Sequence, residues 1–314
     1  MSRSSQETTS LFASYQLSML DGRLRFVGGL RHDENKAFEA TGAPSRPTLR
    51  QTSPQIGATF RVLPSVVAFA NYSESFIPQG GLFRNPPPAG GRLENTTTEP
   101  RRPQVGEGYD FGFKFDAPSS KFSGTVSVFS IKRQNVVVPL VIFPDGESVP
   151  STSFRVDRYI EGETSDGFEA SMIFTPRSNW QIMAGYSYLD AKRNDPAVVG
   201  SPFEAFLSSV EGVPEHQVSL WTKYTFHGRA KGFSVGGGYI HMDKRRGGPL
   251  LDDYITLDAF HRVDAFVQYA FRPRGPGLAS LSLNVENLLN ERYFRPGPIV
   301  ENPLNAKMTL RYSF

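Results

Sequence analysis

The chain contains no cysteine, which excludes a disulfide framework and any thiolate metal site. No stretch approaches the ~18 consecutive apolar residues of a spanning helix, so insertion into a membrane as helices is excluded too. An excess of one charge sign is also missing. The 34 Lys and Arg against 31 Asp and Glu leave a net charge of +3, and the basic residues scatter instead of lining one face, so no nucleic-acid partner is expected. Tryptophan is scarce, at two, while 25 Phe and 12 Tyr make the chain rich in smaller aromatic rings. Ser2-Arg3-Ser4-Ser5-Gln6 carries no apolar core, so no signal peptide is read there.

Catalytic signatures are missing as well. There is no G-x-S-x-G elbow and no convincing Ser/His/Asp order, so no catalytic residue is assigned and no enzyme is expected. Gly236, Gly237 and Gly238 are followed by Tyr239 and a continuing strand pattern, not by a helix. They are read as a place of curvature or close approach, not as a phosphate loop. His32, His216, His227, His241 and His261 show no paired spacing for a metal and are read as structural.

What the chain does have is alternation. In the last stretch Met308, Leu310, Tyr312 and Phe314 fall on one face, and Lys307, Thr309, Arg311 and Ser313 on the other. Tyr109, Phe111, Phe113 and Phe115 repeat the pattern, with Asp110, Lys114 and Asp116 opposite. So do Trp180, Ile182, Ala184, Tyr186 and Tyr188 opposite Gln181, Gly185 and Ser187, and Leu281, Leu283 and Val285 opposite Ser282, Asn284 and Glu286. Leu11 to Leu17 and Leu24 to Leu30 flank Asp21-Gly22, a hairpin signal. Between Val66 and Ser75 the face is ambiguous, because Phe69 and Tyr72 have opposite parity.

Tight turns and long polar segments rotate strictly between these strands. The long segments include about 33–51 and a Pro/Gly-rich stretch of about 76–106, read as free of sheet. A mean hydropathy of −0.34 fits strands of ~9 to 11 residues with every second one apolar. The fold expected is therefore an all-β, antiparallel transmembrane barrel with short periplasmic turns and long extracellular loops. The apolar set faces lipid (Phe111, Phe113, Trp180, Ile182, Leu220, Tyr224, Val267, Leu283, Leu310). Asp110, Lys114, Gln181, Lys223, Gln268, Asn284 and Arg311 face the lumen. About thirteen strands are counted. Single-chain bacterial barrels have an even number, so residues 1–314 are expected to form the C-terminal part of a larger barrel.

Four segments carry a family resemblance: Gly28-Gly29-Leu30-Arg31-His32-Asp33, Asn71-Tyr72-Ser73-Glu74-Ser75-Phe76, Pro214 to Leu220, and above all Asn284-Val285-Glu286-Asn287-Leu288-Leu289-Asn290-Glu291-Arg292-Tyr293-Phe294 before the terminal strand. In this order the chain resembles the TonB-dependent outer-membrane receptors, ferric-siderophore type. The resemblance implies a barrel of about 22 strands around a plug, of which roughly nine strands, the plug and the TonB box have no counterpart in these residues. It implies uptake of a ferric siderophore across the outer membrane of a Gram-negative bacterium, energised by the TonB complex through the N-terminal region. The alternatives are a passive porin-like channel or a receptor for haem, a vitamin or an oligosaccharide. No resident cofactor is implied, since iron would be bound only as part of the ligand.

Among loop residues, Phe76, Phe83, Phe143, Phe154, Tyr159, Phe203 and Phe206 are candidates for apolar contact with an organic chelate. Arg84, Arg155 and Arg158 are candidates for offsetting its charge, and packing of the loops themselves is the competing reading. Lys244, Arg245 and Arg246 form a basic cluster for lipopolysaccharide phosphate or anionic ligand, or a solvated loop run. Leu310, Tyr312 and the terminal Phe314 supply the outward series that the barrel-insertion machinery reads in the family the chain resembles. Outer-membrane lipid is the remaining partner.

Overall fold

Period-two alternation becomes a ladder because each strand can bury its apolar face only beside strands of the same parity. The computed structural model describes residues 5–38, 48–80, 82–85, 97–142, 154–160, 162–194, 210–250, 253–273, 277–295 and 299–314. Its strands are β1 (Ser5–Met19), β2 (Leu24–Phe38), β3 (Leu49–Leu63), β4 (Val66–Ile77), β5 (Leu82–Arg84), β6 (Thr98–Pro100), β7 (Gln104–Ala117) and β8 (Phe122–Gln134). Then come β9 (Val136–Ile142), β10 (Phe154–Ile160), β11 (Gly162–Arg177), β12 (Trp180–Asn194), β13 (His216–Thr225), β14 (Phe233–Met242) and β15 (Arg245–Leu250). The last are β16 (Asp253–Leu257), β17 (Phe260–Phe271), β18 (Leu278–Glu286), β19 (Phe294–Arg295), β20 (Ile299–Val300) and β21 (Asn305–Ser313).

Thirteen of them form one antiparallel sheet in the order β1-β2-β3-β4-β7-β8-β11-β12-β13-β14-β17-β18-β21. The expected number of wall strands is therefore present, each beside its neighbours in the chain. The other eight pair two by two as β5-β6, β9-β10, β15-β16 and β19-β20, in the long connections. The expectation of no sheet across 76–106 is corrected here. β4 runs on to Ile77, β7 begins at Gln104, and Leu82–Arg84 pairs with Thr98–Pro100. The polar segment after Asp33 is sheet at both ends too, since Asp33 to Asn35 pairs with Leu49 to Gln51. A polar strand pairs as well as an apolar one, because its ladder is made of backbone groups.

Register settles the two faces. Phe111 lies opposite Val128, which lies opposite Phe168, and that lies opposite Tyr188. Tyr224 faces Val235, Val235 faces Val267, Val267 faces Leu283, and Leu283 faces Met308. The opposite parity bounds a hollow that Lys114, Thr125, Ile173, Met183, Trp221 and Asp264 share from six different strands, which only a concave wall permits. The apolar set is thus convex, with Phe111, Leu220, Val267 and Leu310 all exposed. Asp110, Lys114, Gln181, Lys223, Gln268, Asn284 and Arg311 lie on the concave parity. Phe69 and Tyr72 are both strand residues. Phe69 pairs with Gly112 on the concave side, and Tyr72 with Tyr109 on the convex side.

The convex face is banded. From Trp180 to Tyr188, Tyr224 to His216, Phe233 to His241 and Tyr269 to His261, an aromatic or imidazole stands at each end of an eight-residue step. Three outward positions, mostly apolar, lie between, such as Val218, Leu220 and Thr222. Eight residues span roughly 27 Å along a strand, or about 20 Å along the axis at ~40° tilt, close to the ~25 Å apolar band of outer-membrane barrels.

Candidate functional site: concave wall and outer rim

The concave wall is less polar than alternation alone implies. Phe69, Phe129, Trp221 and Phe266 all lie on it, each directly across the ladder from a glycine: Gly112, Gly167, Gly238 and Gly236. A Cβ at Gly238 would fall within the Trp221 ring, and one at Gly236 against Phe266. These strand glycines let an aromatic ring lie flat over the neighbouring backbone. Trp221 and Phe266 then stack, with centroids 5.8 Å apart and planes 3° from parallel. Lys114 sits 5.1 Å from the Phe69 centroid and Lys223 6.0 Å from that of Phe266, so the wall alternates ring and cation.

At the outer rim two hairpins clasp. Phe83 is buried and stacks on Tyr159 with centroids 4.1 Å apart. Asp157, 5% exposed, accepts from the Arg84 backbone N–H and from Arg101 Nη2, both at 3.2 Å. The Arg102 N–H donates to Tyr159 Oη at 2.7 Å, and its guanidinium lies 5.2 Å from that ring. Gln79 Nε2 donates to the carbonyls of Arg102 and Asn135. Gln79, Arg84, Arg101 and Arg102 of one connection therefore meet Asn135, Asp157 and Tyr159 of the next.

The candidate residues are thus distributed. Phe83 and Tyr159 are packed against each other within the clasp, and Arg84 contributes a backbone N–H to it. Phe76 pairs with Val105 on the convex parity of β4. Phe154, Arg155 and Arg158 are backbone members of β10, and their side chains lie outside the described residues, as do Phe143, Phe203 and Phe206 altogether. The basic cluster splits. Lys244 is exposed, and the Arg246 carbonyl accepts from the Gly212 N–H. Arg245 is 5% exposed, donates to the Phe294 carbonyl and sits 5.5 Å from the Phe260 centroid. Burial holds its guanidinium below the ordinary value. Leu310, Tyr312 and Phe314 are exposed on the convex side of the terminal strand region.

Two features escaped sequence reasoning. Asn287, 1% exposed with φ 53°, ties a turn to three neighbours. Its N–H donates to Asp264 Oδ1 at 2.9 Å, its Nδ2 to the carbonyls of Glu291 and Asn302, and its Oδ1 accepts from the Glu291 N–H. Arg262 bonds Asp264 and Tyr293, and Tyr293 stacks on Phe260 at 4.1 Å. The most telling of the resemblance motifs is therefore a rim knot. The second feature is the adjacency of two histidines. The register places His241 opposite His261, and their rings stack at 4.5 Å.

An open, curved antiparallel wall with an apolar belt outside and a mixed ring-and-cation face inside defines a class, the outer-membrane β-barrel. The TonB dependent receptor-like, beta-barrel family pattern matches residues 1–288, and the chain belongs to that family, whose barrels stand in the bacterial outer membrane. The chain is 29% identical over 262 residues to the metal-pseudopaline receptor CntO of Pseudomonas aeruginosa, covering 83% of this chain and 32% of that protein. It is 23% identical to the ferripyoverdine receptor of the same species over 96% of this chain and 35% of the relative. The chain thus spans about a third of the length of these relatives. Among solved structures, the pyoverdine outer-membrane receptor FpvA of P. aeruginosa superposes with a TM-score of 0.77 at 19% identity, covering 99% of this chain and 42% of that one. The ferric preacinetobactin receptor BauA of Acinetobacter baumannii superposes with a TM-score of 0.74 at 19% identity, covering 100% and 44%.

Proposed function

We propose that this chain is the C-terminal wall of a receptor that imports a ferric siderophore, energised by the TonB complex through an N-terminal region outside these residues. The supporting observation is the family match over residues 1–288, joined to relatives named as receptors for pyoverdine-type chelates. On this reading Arg84, Phe154, Arg155 and Arg158, carried by the rim hairpins, are the residues of this chain that meet the ligand. Phe83 and Tyr159 hold those hairpins together. Iron arrives inside the ligand, and the protein has no resident cofactor. A second reading, a chelate of another metal, is favoured by the relative named as a metal-pseudopaline receptor.

The test is uptake of radio-labelled metal by a strain carrying the full gene or a deletion of it, with ferric siderophores and other metal chelates compared. Uptake that needs the gene and stops when TonB is removed supports the reading. Uptake that persists without TonB makes the protein a passive channel, and uptake of a non-ferric chelate alone selects the second reading.

A further inference from the structure

On the convex face, at the outer end of the apolar band, the same side-chain pair occurs twice. Tyr186 Oη lies 2.8 Å from His216 Nδ1, and Tyr239 Oη lies 2.7 Å from His261 Nδ1. A phenol is the better donor and an imidazole nitrogen the better acceptor, so each tyrosine hydroxyl donates to Nδ1 and leaves the ring proton on Nε2. His241 spends both of its nitrogens inside the protein, with Nδ1 3.2 Å from the Phe260 carbonyl and Nε2 3.0 Å from Asp243. Ring contacts join the row in two groups, one across β11, β12 and β13 and one across β14 and β17. Phe168 meets Tyr186, Tyr188 lies 5.1 Å from the His216 ring, and His241 stacks on His261.

Height gives the row its meaning. His216, His241 and His261 each stand eight positions from an aromatic at the opposite boundary, Tyr224, Phe233 and Tyr269, so the imidazoles mark where hydrocarbon ends and headgroups begin. Exposed Lys192, on the same parity of β12 four residues beyond Tyr188 and paired with Asp190, and exposed Lys244, next after Asp243, flank the row on its watery side. We propose that this tyrosine-histidine row binds the phosphate of an outer-leaflet lipid headgroup, with the Nε2–H groups of His216 and His261 as donors and the flanking lysines supplying charge. An aromatic belt needs only rings. Rings whose second nitrogen is oriented by a hydroxyl provide directed donors as well, and phosphate is the acceptor that stands at that depth. The site is independent of which chelate is imported.

The experiment uses the full-length receptor that carries this chain, purified and placed in nanodiscs of phosphatidylcholine with or without lipid A. His216→Phe/His261→Phe keeps the aromatic rings and removes the donors. Native mass spectrometry after release from the discs counts retained lipid, and long-range proton–nitrogen spectra report the imidazole tautomers. Retention of lipid A by the parent, a drop of at least fivefold in the double variant and Nε2–H signals that shift on adding lipid A support the proposal. Equal retention by parent and variant overturns it, as does equal shifting by phosphatidylcholine alone. Inorganic phosphate that shifts the same signals in detergent as strongly as lipid A makes the site one for free anion and overturns the lipid assignment. Tyr186→Phe/Tyr239→Phe is the second arm, expected to mix the tautomers and weaken retention without removing a ring. Unchanged tautomers there contradict the orienting role of the hydroxyls.

Discussion

Asn287 shows how much one side chain carries at the rim. Its left-handed backbone is a conformation that asparagine tolerates, and its amide satisfies groups on two later segments while its N–H caps Asp264. Asn287→Ala leaves the Glu291 N–H and two carbonyls without this partner, at a cost of about 3 kcal/mol if one or two buried groups stay unpaired at ~1–3 each. A lower melting temperature of the full receptor, with a preserved strand spectrum, is the expected result, and an unchanged melting temperature refutes it. Gly238 carries a different constraint, because the Trp221 ring occupies the place of a side chain there. Gly238→Val should cost about 2 kcal/mol by overpacking and displace that ring. In the full receptor, subtracting the spectrum of the matching Trp221→Phe variant isolates the Trp221 contribution to the fluorescence. An unshifted spectrum contradicts the seat. The pairing Gly238 to Trp221 was invisible in the linear order, since it depends on the register of two strands joined by a turn. That glycine marks a close approach was legible, because its neighbours keep a strand pattern.

At the scale of elements, the rim hairpins and the terminal strand behave differently. The clasp joins β5-β6 to β9-β10 through Asp157, so Asp157→Ala removes the acceptor shared by the Arg84 N–H and Arg101. Amide exchange should then rise in both hairpins together by about tenfold, the equivalent of ~1.4 kcal/mol. A rise confined to β10 would mean that the hairpins are not coupled. Among the described residues the terminal strand pairs with β18 alone, and it presents Met308, Leu310, Tyr312 and Phe314 to the outside. On the reading that the insertion machinery recognises this series, Phe314→Asp in the full-length receptor lowers its outer-membrane level several-fold and leaves ligand affinity per receptor unchanged. Normal levels remove the recognition role, and weakened binding at normal levels contradicts the placement of Phe314 at the end away from the rim.

For the molecule as a whole, strand parity is the governing fact. Among the described residues the sheet begins with β1 and ends with β21, and these two are not paired with each other. Thirteen alternating strands leave the first and last running the same way, so direct closure would join them in parallel. An all-antiparallel barrel needs an odd number of further strands between them, and a barrel of about 22 needs nine. A second copy in the same membrane orientation offers only parallel edges. The chain alone in detergent should therefore expose two long edges and associate. Refolding with the preceding barrel strands of its receptor should give a heat-modifiable monomer. A monodisperse closed barrel from residues 1–314 alone would refute this.

Alternation determined the number of wall strands and the outward face of most of them, because a strand between lipid and a polar interior has a side-chain period of two; the face of β4 and the rings on the concave wall came from register. The odd count and the turn-and-loop rotation followed from the same pattern. What only the tertiary structure decided depends on register and on contacts between distant loops: the flat rings over strand glycines, the clasp that absorbed Phe83 and Tyr159, the rim knot at Asn287, and the histidines brought side by side. Those arise from pairing across strands, where residues separated by tens of positions become neighbours, and a linear spacing holds no record of which residues will meet.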